Sequence, residues 1–312
     1  MSDKKNRYPL IIVGAGPAGL TASVYASRYR IDHLVIGEFF GGLVTEAHKI
    51  CNFPSEKEIS GIDLMAKMKE QTRSFGTVIL PDKVVDIVKD GKEFKLTTQM
   101  NKEFFAEVIL LANGTENRKL NLAGEKEFLG KGVSYCATCD AIFFKDKIVA
   151  VVGGSDSANT ASLYLAEVAK KVYQIYRKDE LRGEAAWVEK IKNNEKIELV
   201  YNTEVVGLAG DGKLEKIILD KPYEGKQEII VDGLFIEIGT IPQGDLVGKL
   251  PTIEMNDKHY IKVGQDQATS QAGIWAAGDI TTGSNNFHQI ITACSEGAVA
   301  VESIFKFLQN KK

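Results

Sequence analysis

Two thiols three positions apart, in the run Tyr135-Cys136-Ala137-Thr138-Cys139-Asp140, are the groups of this 312-residue chain best suited to covalent chemistry. A Cys-x-x-Cys pair either closes into a disulfide and reopens, moving two electrons, or supplies half of a zinc site. A structural zinc site needs four ligands, as two such pairs or one pair with spaced histidines. The other cysteines are Cys51 and Cys294, and the histidines His33, His48, His259 and His288 show no ligand spacing. The pair therefore reads as redox-active, and no metal is expected. A thiolate is the attacking species in disulfide exchange, so an acid or base must stand near it. Asp140 is the candidate; its alternative role is a carboxylate that caps a turn. Cys51 and Cys294 read as small buried residues.

The elements around the pair say what it works with. Leu10–Val13 reads as a buried strand, followed by the turn Gly14-Ala15-Gly16-Pro17-Ala18-Gly19, a helix over Leu20–Tyr29 and a strand over Leu34–Ile36. Glu38 stands nineteen positions after Gly19. This is the dinucleotide fingerprint in its required context. Gly14 permits the tight turn, Gly16 lets backbone approach a pyrophosphate, and Gly19 lets the helix pack closely. The helix N-terminus offers free N–H groups to phosphate, and Glu38 can accept from a ribose diol.

The unit then recurs. The strand Ile148–Val152 leads into Gly153-Gly154-Ser155-Asp156-Ser157-Ala158, a helix over Asn159–Lys170 and a strand over Val172–Ile175, with Gly153 139 positions after Gly14. Where the first unit carries Glu38, the second carries Tyr176-Arg177-Lys178 and Arg182. Cations there suit a 2′-phosphate, so NADP is favoured over NAD; a solvated charged face with Asp179 and Glu180 is the other reading.

Length allows roughly two domains of about 150 residues. Net charge is −3 with no basic block, which gives no support for nucleic acid or an anionic membrane as partner. No apolar run approaches the ~18 residues of a membrane span, and Met1–Tyr8 is polar, so a cytoplasmic protein is expected. Val108–Leu111 reads as a strand, as does Gly273-Ile274-Trp275-Ala276-Ala277-Gly278-Asp279, followed by a long helix over Gln289–Phe307. These pieces belong with the first unit. The fold class expected is α/β, with two Rossmann-like, three-layer (ββα/αβ) nucleotide-binding domains, the second inserted into the first. Gly and Pro punctuation puts the crossings near Glu116–Leu120 and Gln243–Gly248. The domains are then 1–117 with 246–312, and 118–245, the latter carrying the Cys pair.

From Leu10 to Phe307 the chain resembles the low-molecular-weight thioredoxin reductase family. The resemblance rests on Gly14–Gly19, Cys136–Asp140, Gly153–Ala158 with Arg177–Arg182, and Gly273–Asp279, in that order. It implies a homodimer that binds FAD in the first domain and NADPH in the second and reduces thioredoxin or a thioredoxin-like protein. FAD would be held by Gly14, Gly16, Pro17, Ala18, Gly19, Glu38, Gly41, Gly42, Asn52, Gly278, Asp279, His288 and Gln289. NADPH would be held by Gly153, Gly154, Asp156, Ser157, Arg177, Lys178, Arg182 and Gly239. The resemblance also makes Cys139 the sulfur nearer the flavin, Cys136 the one that attacks the partner's disulfide, and Asp140 the acid/base. The two crossings would serve as hinges.

The chain departs from the family pattern at Ser155, in place of the second glycine of the NADPH turn, and at Thr160 and Ala161, in place of a Glu pair. Tyr176 and Lys178 replace a His and an Arg, and Leu43, Asn113 and His288 replace a Gln, a Thr and an Arg. His288 reads either as a group that tunes the flavin or as a surface residue at a helix start. These departures keep open a flavoprotein fed by another donor, such as reduced ferredoxin, a dithiol oxidase, or a flavin redox sensor without turnover.

Overall fold

The structure, a computed structural model, describes residues 6–250 and 252–311. The chain divides at 116/117 and again at 240/241 into two compact units, so the second is inserted into the first.

The first unit is built on strands whose side chains are buried on both faces, as a parallel sheet covered on two sides demands. The strand Arg7–Val13 lies between His33–Ile36 and Glu103–Leu111, in register Leu10↔His33 and Leu10↔Val108. Val78–Leu80 extends the sheet beyond His33–Ile36, and Ile274–Ala276 pairs with the end of Glu103–Leu111. Glu93–Thr98 and Val84–Asp90 continue it antiparallel. Alternation divides the core in two. Ile11, Val13, Leu34, Ile36, Ile109 and Leu111 pack on one side, and Leu10, Ile12, Val35, Val108 and Leu110 on the other, with the helices Pro17–Arg28 and Ile290–Asn310.

The second unit repeats the plan. Ile148–Val152 lies between Lys171–Tyr176 and Gly233–Ile236, with Ile197–Tyr201 and Val133–Ser134 outside them, all parallel. The helix Asp156–Val168 covers one face, through Ala158, Ala161 and Leu165. Three antiparallel strands, Val205–Ala209, Lys216–Tyr223 and Lys226–Ile230, cover the other, through Val205, Ile217, Leu219 and Ile229. The fold class is thus α/β with two Rossmann-like domains.

Four boundaries differ from the sequence reading. Both nucleotide-turn helices begin three residues earlier, at Pro17 and Asp156. Pro is accommodated at the first helical position because the N–H it lacks has no intrahelical acceptor there. The last helix runs on to Asn310. The return crossing falls at 240/241, ahead of the expected 245/246. Its cause is pairing: Thr115–Asn117 and Thr240–Pro242 form a two-stranded ladder, closed by Arg118 N–H to Gly239 O (2.9 Å) and Gln243 N–H to Gly114 O (3.1 Å). The punctuation after Pro242 marks the end of that strand rather than the crossing.

Candidate active site

In the first unit the glycine turn is shaped by backbone contacts. Gly14 has φ +119°, and a Cβ there would strike the carbonyl of Ala112; one on Gly19 would strike the carbonyl of Gly14. Gly16 differs, since a Cβ would meet nothing within 4 Å. Its side faces open space, as a glycine does where a ligand approaches the backbone. Gly41 N–H donates to Ala15 O (2.9 Å), bringing Gly41-Gly42 onto the same turn. Gly278 packs there too, for its Cβ would lie 3.0 Å from that of Ala18. Asn52 Nδ2 donates to Gln289 Oε1 (3.1 Å), and Gln289 is the reciprocally bonded cap of the last helix, with Thr292. Gly14–Gly19, Gly41, Gly42 and Gly278 therefore converge on one turn, and Asn52 joins Gln289. Glu38 is exposed at the end of its strand and forms an ion pair with Lys83 (3.5 Å).

The electrostatics of this seat are unusual. Burial pushes the Asp279 carboxyl above the ordinary range; His288 opposes the shift and the Glu296 carboxylate adds to it. The His288 ring leans on that of Tyr260, with centroids 5.1 Å apart and planes tilted by 38°. His288 Nε2 is buried and has no hydrogen-bond partner, nor has Asn113 Oδ1. Orphaned buried polar atoms beside an open glycine turn fit a polar cofactor such as FAD. Glu296 drew no attention in the sequence. It carries no motif of its own, since its partners are a backbone N–H group and two hydroxyls.

In the second unit Gly153, at φ +145°, plays the part of Gly14; a Cβ there would strike the carbonyl of Glu237. Ser155 stands where the first turn has Gly16, and it is exposed. A Cβ on Gly154 would enter the Tyr176 ring, so the lack of a side chain here makes room for that ring. The Arg182 segment is fastened over the turn. Arg182 N–H donates to Gly154 O (2.6 Å), Asn159 Nδ2 donates to Arg182 O (3.1 Å), and Glu184 N–H donates to the Asp156 carboxylate (2.7 Å). Arg182 Nε donates to the Tyr176 hydroxyl (2.8 Å), which leaves its Nη groups outward. Arg177, 4.0 Å from Glu204, and Lys178 are exposed. Three cations beside the turn fit a 2′-phosphate. Thr160, an uncharged residue, bonds back to the carbonyls of Asp156 (2.8 Å) and Ser157 (3.1 Å) in its own helix, so its hydroxyl is satisfied there. Gly239, at φ +90°, has open space around it.

Cys136 and Cys139 are joined as a disulfide, with Cα atoms 5.3 Å apart. Cys136 caps a single helical turn, Ala137–Asp140, where Cys139 N–H donates to its Sγ (3.1 Å). The Ser134 hydroxyl brackets the Cys136 backbone, accepting from its N–H (3.0 Å) and donating to its carbonyl (3.3 Å). Cys136 is half-buried and Cys139 exposed. Asp140 stands at the head of the 3-10 turn Ala141–Phe144 without a side-chain capping bond, so the capping role is not taken up there. Behind the pair, the buried Glu125 carboxylate accepts from Leu120 N–H (3.1 Å), Leu122 N–H (3.0 Å) and the Tyr135 hydroxyl. Burial and then the bond to Glu125 raise the Tyr135 hydroxyl above the usual tyrosine range. Cys51 is exposed, against the sequence reading, because it opens the irregular loop Cys51–Lys57. Cys294 is half-buried, and burial pushes its thiol up.

Residues 8–297 match the pyridine nucleotide-disulphide oxidoreductase family. The chain is 38% identical over 315 residues to a thioredoxin reductase of Peptoclostridium acidaminophilum, covering 98% of each. Among solved structures it is similar to the thioredoxin reductase of Lactococcus lactis in its FR conformation. There the TM-score is 0.91 at 31% identity, over 97% of this chain and 99% of that one. It is also similar to a ferredoxin-flavin thioredoxin reductase of Clostridium acetobutylicum, with TM-score 0.53 at 35% identity, over 97% and 99%.

Proposed function

This chain belongs to the pyridine nucleotide-disulphide oxidoreductase family and, within it, to the low-molecular-weight thioredoxin reductases, and we propose that it carries electrons from NADPH through FAD to a thioredoxin or thioredoxin-like protein. It is an oxidoreductase. The observation that carries the reading is the Cys136–Cys139 disulfide at the head of the unit that also holds the second nucleotide turn. The enzyme works as a homodimer, which sedimentation would show as twice the chain mass.

Bound FAD would supply two-electron exchange, first with the nicotinamide and then with the disulfide. The turn Gly14–Gly19, Glu38, Gly41, Gly42, Asn52, Gly278, Asp279, His288 and Gln289 hold it. Gly153, Gly154, Asp156, Ser157, Arg177, Lys178, Arg182 and Gly239 hold NADPH, with the cations on its 2′-phosphate. Two electrons and two protons open the Cys136–Cys139 bond to two thiols. Cys139 N–H points at Cys136 Sγ, and such a donor favours the thiolate. The Cys136 thiolate attacks the partner's disulfide, forming a mixed disulfide and releasing one partner thiolate. The Cys139 thiolate then attacks Cys136 Sγ, restoring the internal disulfide and releasing the second. Asp140, next to Cys139, passes protons to and from these sulfurs.

A second reading keeps the flavin and the disulfide but takes electrons from reduced ferredoxin. It is favoured by Ser155 in the place of Gly16 and by the self-bonded, neutral Thr160. Anaerobic stopped-flow separates the two. Stoichiometric NADPH should bleach the flavin, and oxidised thioredoxin should restore its colour. The NADPH reading fails if the flavin stays oxidised with NADPH and NADH yet bleaches with reduced ferredoxin. Cys136→Ser should abolish thioredoxin turnover while the flavin still binds.

A further inference from the structure

Glu296 lies in the interior of the helix Ile290–Asn310 with 5% of its surface exposed. A carboxylate so buried is retained only if its oxygens are satisfied. All its partners come from one loop. Oε2 accepts from Gly278 N–H (2.8 Å) and the Thr281 hydroxyl (3.0 Å), and Oε1 accepts from the Ser284 hydroxyl (2.6 Å). These are neutral donors, so the charge is held by dipoles rather than by a cation. The loop it grips joins Asp279 to His288 and Gln289, which the proposed function assigns to FAD.

The same loop is strained. Ser284, Asn285 and Asn286 have φ of 47°, 56° and 57°, three successive non-glycine residues in the left-handed region. Such a run persists only where its surroundings over-determine it, and it clusters at ligand clamps. Glu296 fixes its start at Ser284. Thr292, on the same helix, fixes its end by donating to Phe287 O (2.7 Å). Gly283 is pressed against the Glu296 carboxylate, which a Cβ would approach to 2.6 Å. The helix thus holds both ends of the strained segment.

We propose that Glu296 is a positioning residue for the flavin. It holds the 278–286 loop in its binding form, and its buried charge beside Asp279 keeps the bound flavin harder to reduce. The inference rests on the chain being a flavoprotein. Glu296→Ala leaves three donors without their acceptor, while Glu296→Gln keeps an acceptor for Gly278 and Thr281 and presents an N–H that the Ser284 oxygen can accept.

The test is reconstitution of full-length apoprotein with FAD, followed by a potential measurement on the loaded protein. Glu296→Ala should bind FAD at least about tenfold more weakly than wild type. Glu296→Gln should recover most of that affinity, and its flavin should be easier to reduce, by up to about tenfold in the reduced-to-oxidised ratio, or about 30 mV for a two-electron couple. Ser284→Ala, which breaks the grip from the loop side, should weaken FAD in the same direction and keeps the test open if Glu296→Ala does not fold. Wild-type affinity in both Glu296→Ala and Ser284→Ala overturns the proposal. So does a Glu296→Gln protein whose potential is unchanged, because a merely structural carboxylate would behave that way. Wild-type apoprotein that fails to bind FAD refutes the flavoprotein reading instead.

Discussion

Replacing Glu125 tests whether one buried carboxylate holds the approach to the redox pair. It accepts three hydrogen bonds, two from the backbone N–H groups of Leu120 and Leu122 and one from the hydroxyl of Tyr135, the residue before Cys136. Bonds to a charged group contribute about 1.5–3 kcal/mol each, and a buried donor left unpaired costs about 1–3 kcal/mol. Tyr135→Phe removes one donor cleanly. Glu125→Gln is the harsher change, because its amide offers one oxygen and one NH2 to two fixed N–H groups. Whichever way the amide turns, one backbone donor faces another. The expected loss is about 1–3 kcal/mol for Gln, which is about 5- to 150-fold in a local opening equilibrium. Amide hydrogen exchange on the whole protein reads this directly. Leu120 and Leu122 should exchange faster by that factor in Glu125→Gln, less so in Tyr135→Phe, with the first unit unaffected. Exchange in Glu125→Gln equal to wild type would refute the reasoning, since water would then be satisfying these donors.

Three further outcomes follow from other contacts. His33 is buried, with Nδ1–H donating to Ile31 O (2.8 Å) and the Ser23 hydroxyl meeting Nε2 (2.8 Å), and burial lowers its pKa below the usual imidazole value. The unfolded chain therefore binds the proton first as pH falls below about 6.5, so stability should drop by up to about 1.4 kcal/mol per pH unit there; urea titrations should lose that part of the slope in His33→Asn. Tyr176→Phe frees the Arg182 Nε, and the ratio of NADH to NADPH dissociation constants should fall several-fold, about the worth of one hydrogen bond to a charged group; an unchanged ratio would remove Arg182 from the phosphate site. Alkylation of the oxidised protein should modify exposed Cys51 well before half-buried Cys294, whose raised pKa leaves less thiolate; mass mapping that finds Cys294 first would contradict this.

Much of the fold was legible because its signals are local. The apolar runs Leu10–Val13 and Ile148–Val152 are strands, and the glycine turns after them open helices, since strand, turn and helix follow one another in the chain. The redox pair was legible for the same reason: two sulfurs three residues apart need no tertiary information to meet. What failed depends on partners far away in sequence. The return crossing was misplaced because Thr240–Pro242 is a strand only through pairing with Thr115–Asn117. Cys51 is exposed, not buried as its type suggests, because it opens an irregular loop whose contacts are remote in sequence, the bond from its neighbour Asn52 reaching Gln289 across 237 positions. Gly154 lacks a side chain because the Tyr176 ring fills that space, a contact the turn motif does not show. Glu125 and Glu296 went unnoticed because an acid's value lies in its donors, and theirs are backbone N–H groups and hydroxyls that carry no sequence signature.

The central claim is that Cys136 and Cys139 form a two-electron store additional to the flavin. Counting electrons tests it without presupposing a donor. Anaerobic dithionite titration of the FAD-loaded protein should take up about four electrons per chain, two for the flavin and two for the disulfide. The Cys136→Ser protein should take up about two. Equal uptake by both proteins would contradict the account, because the disulfide would then lie outside the path of the electrons.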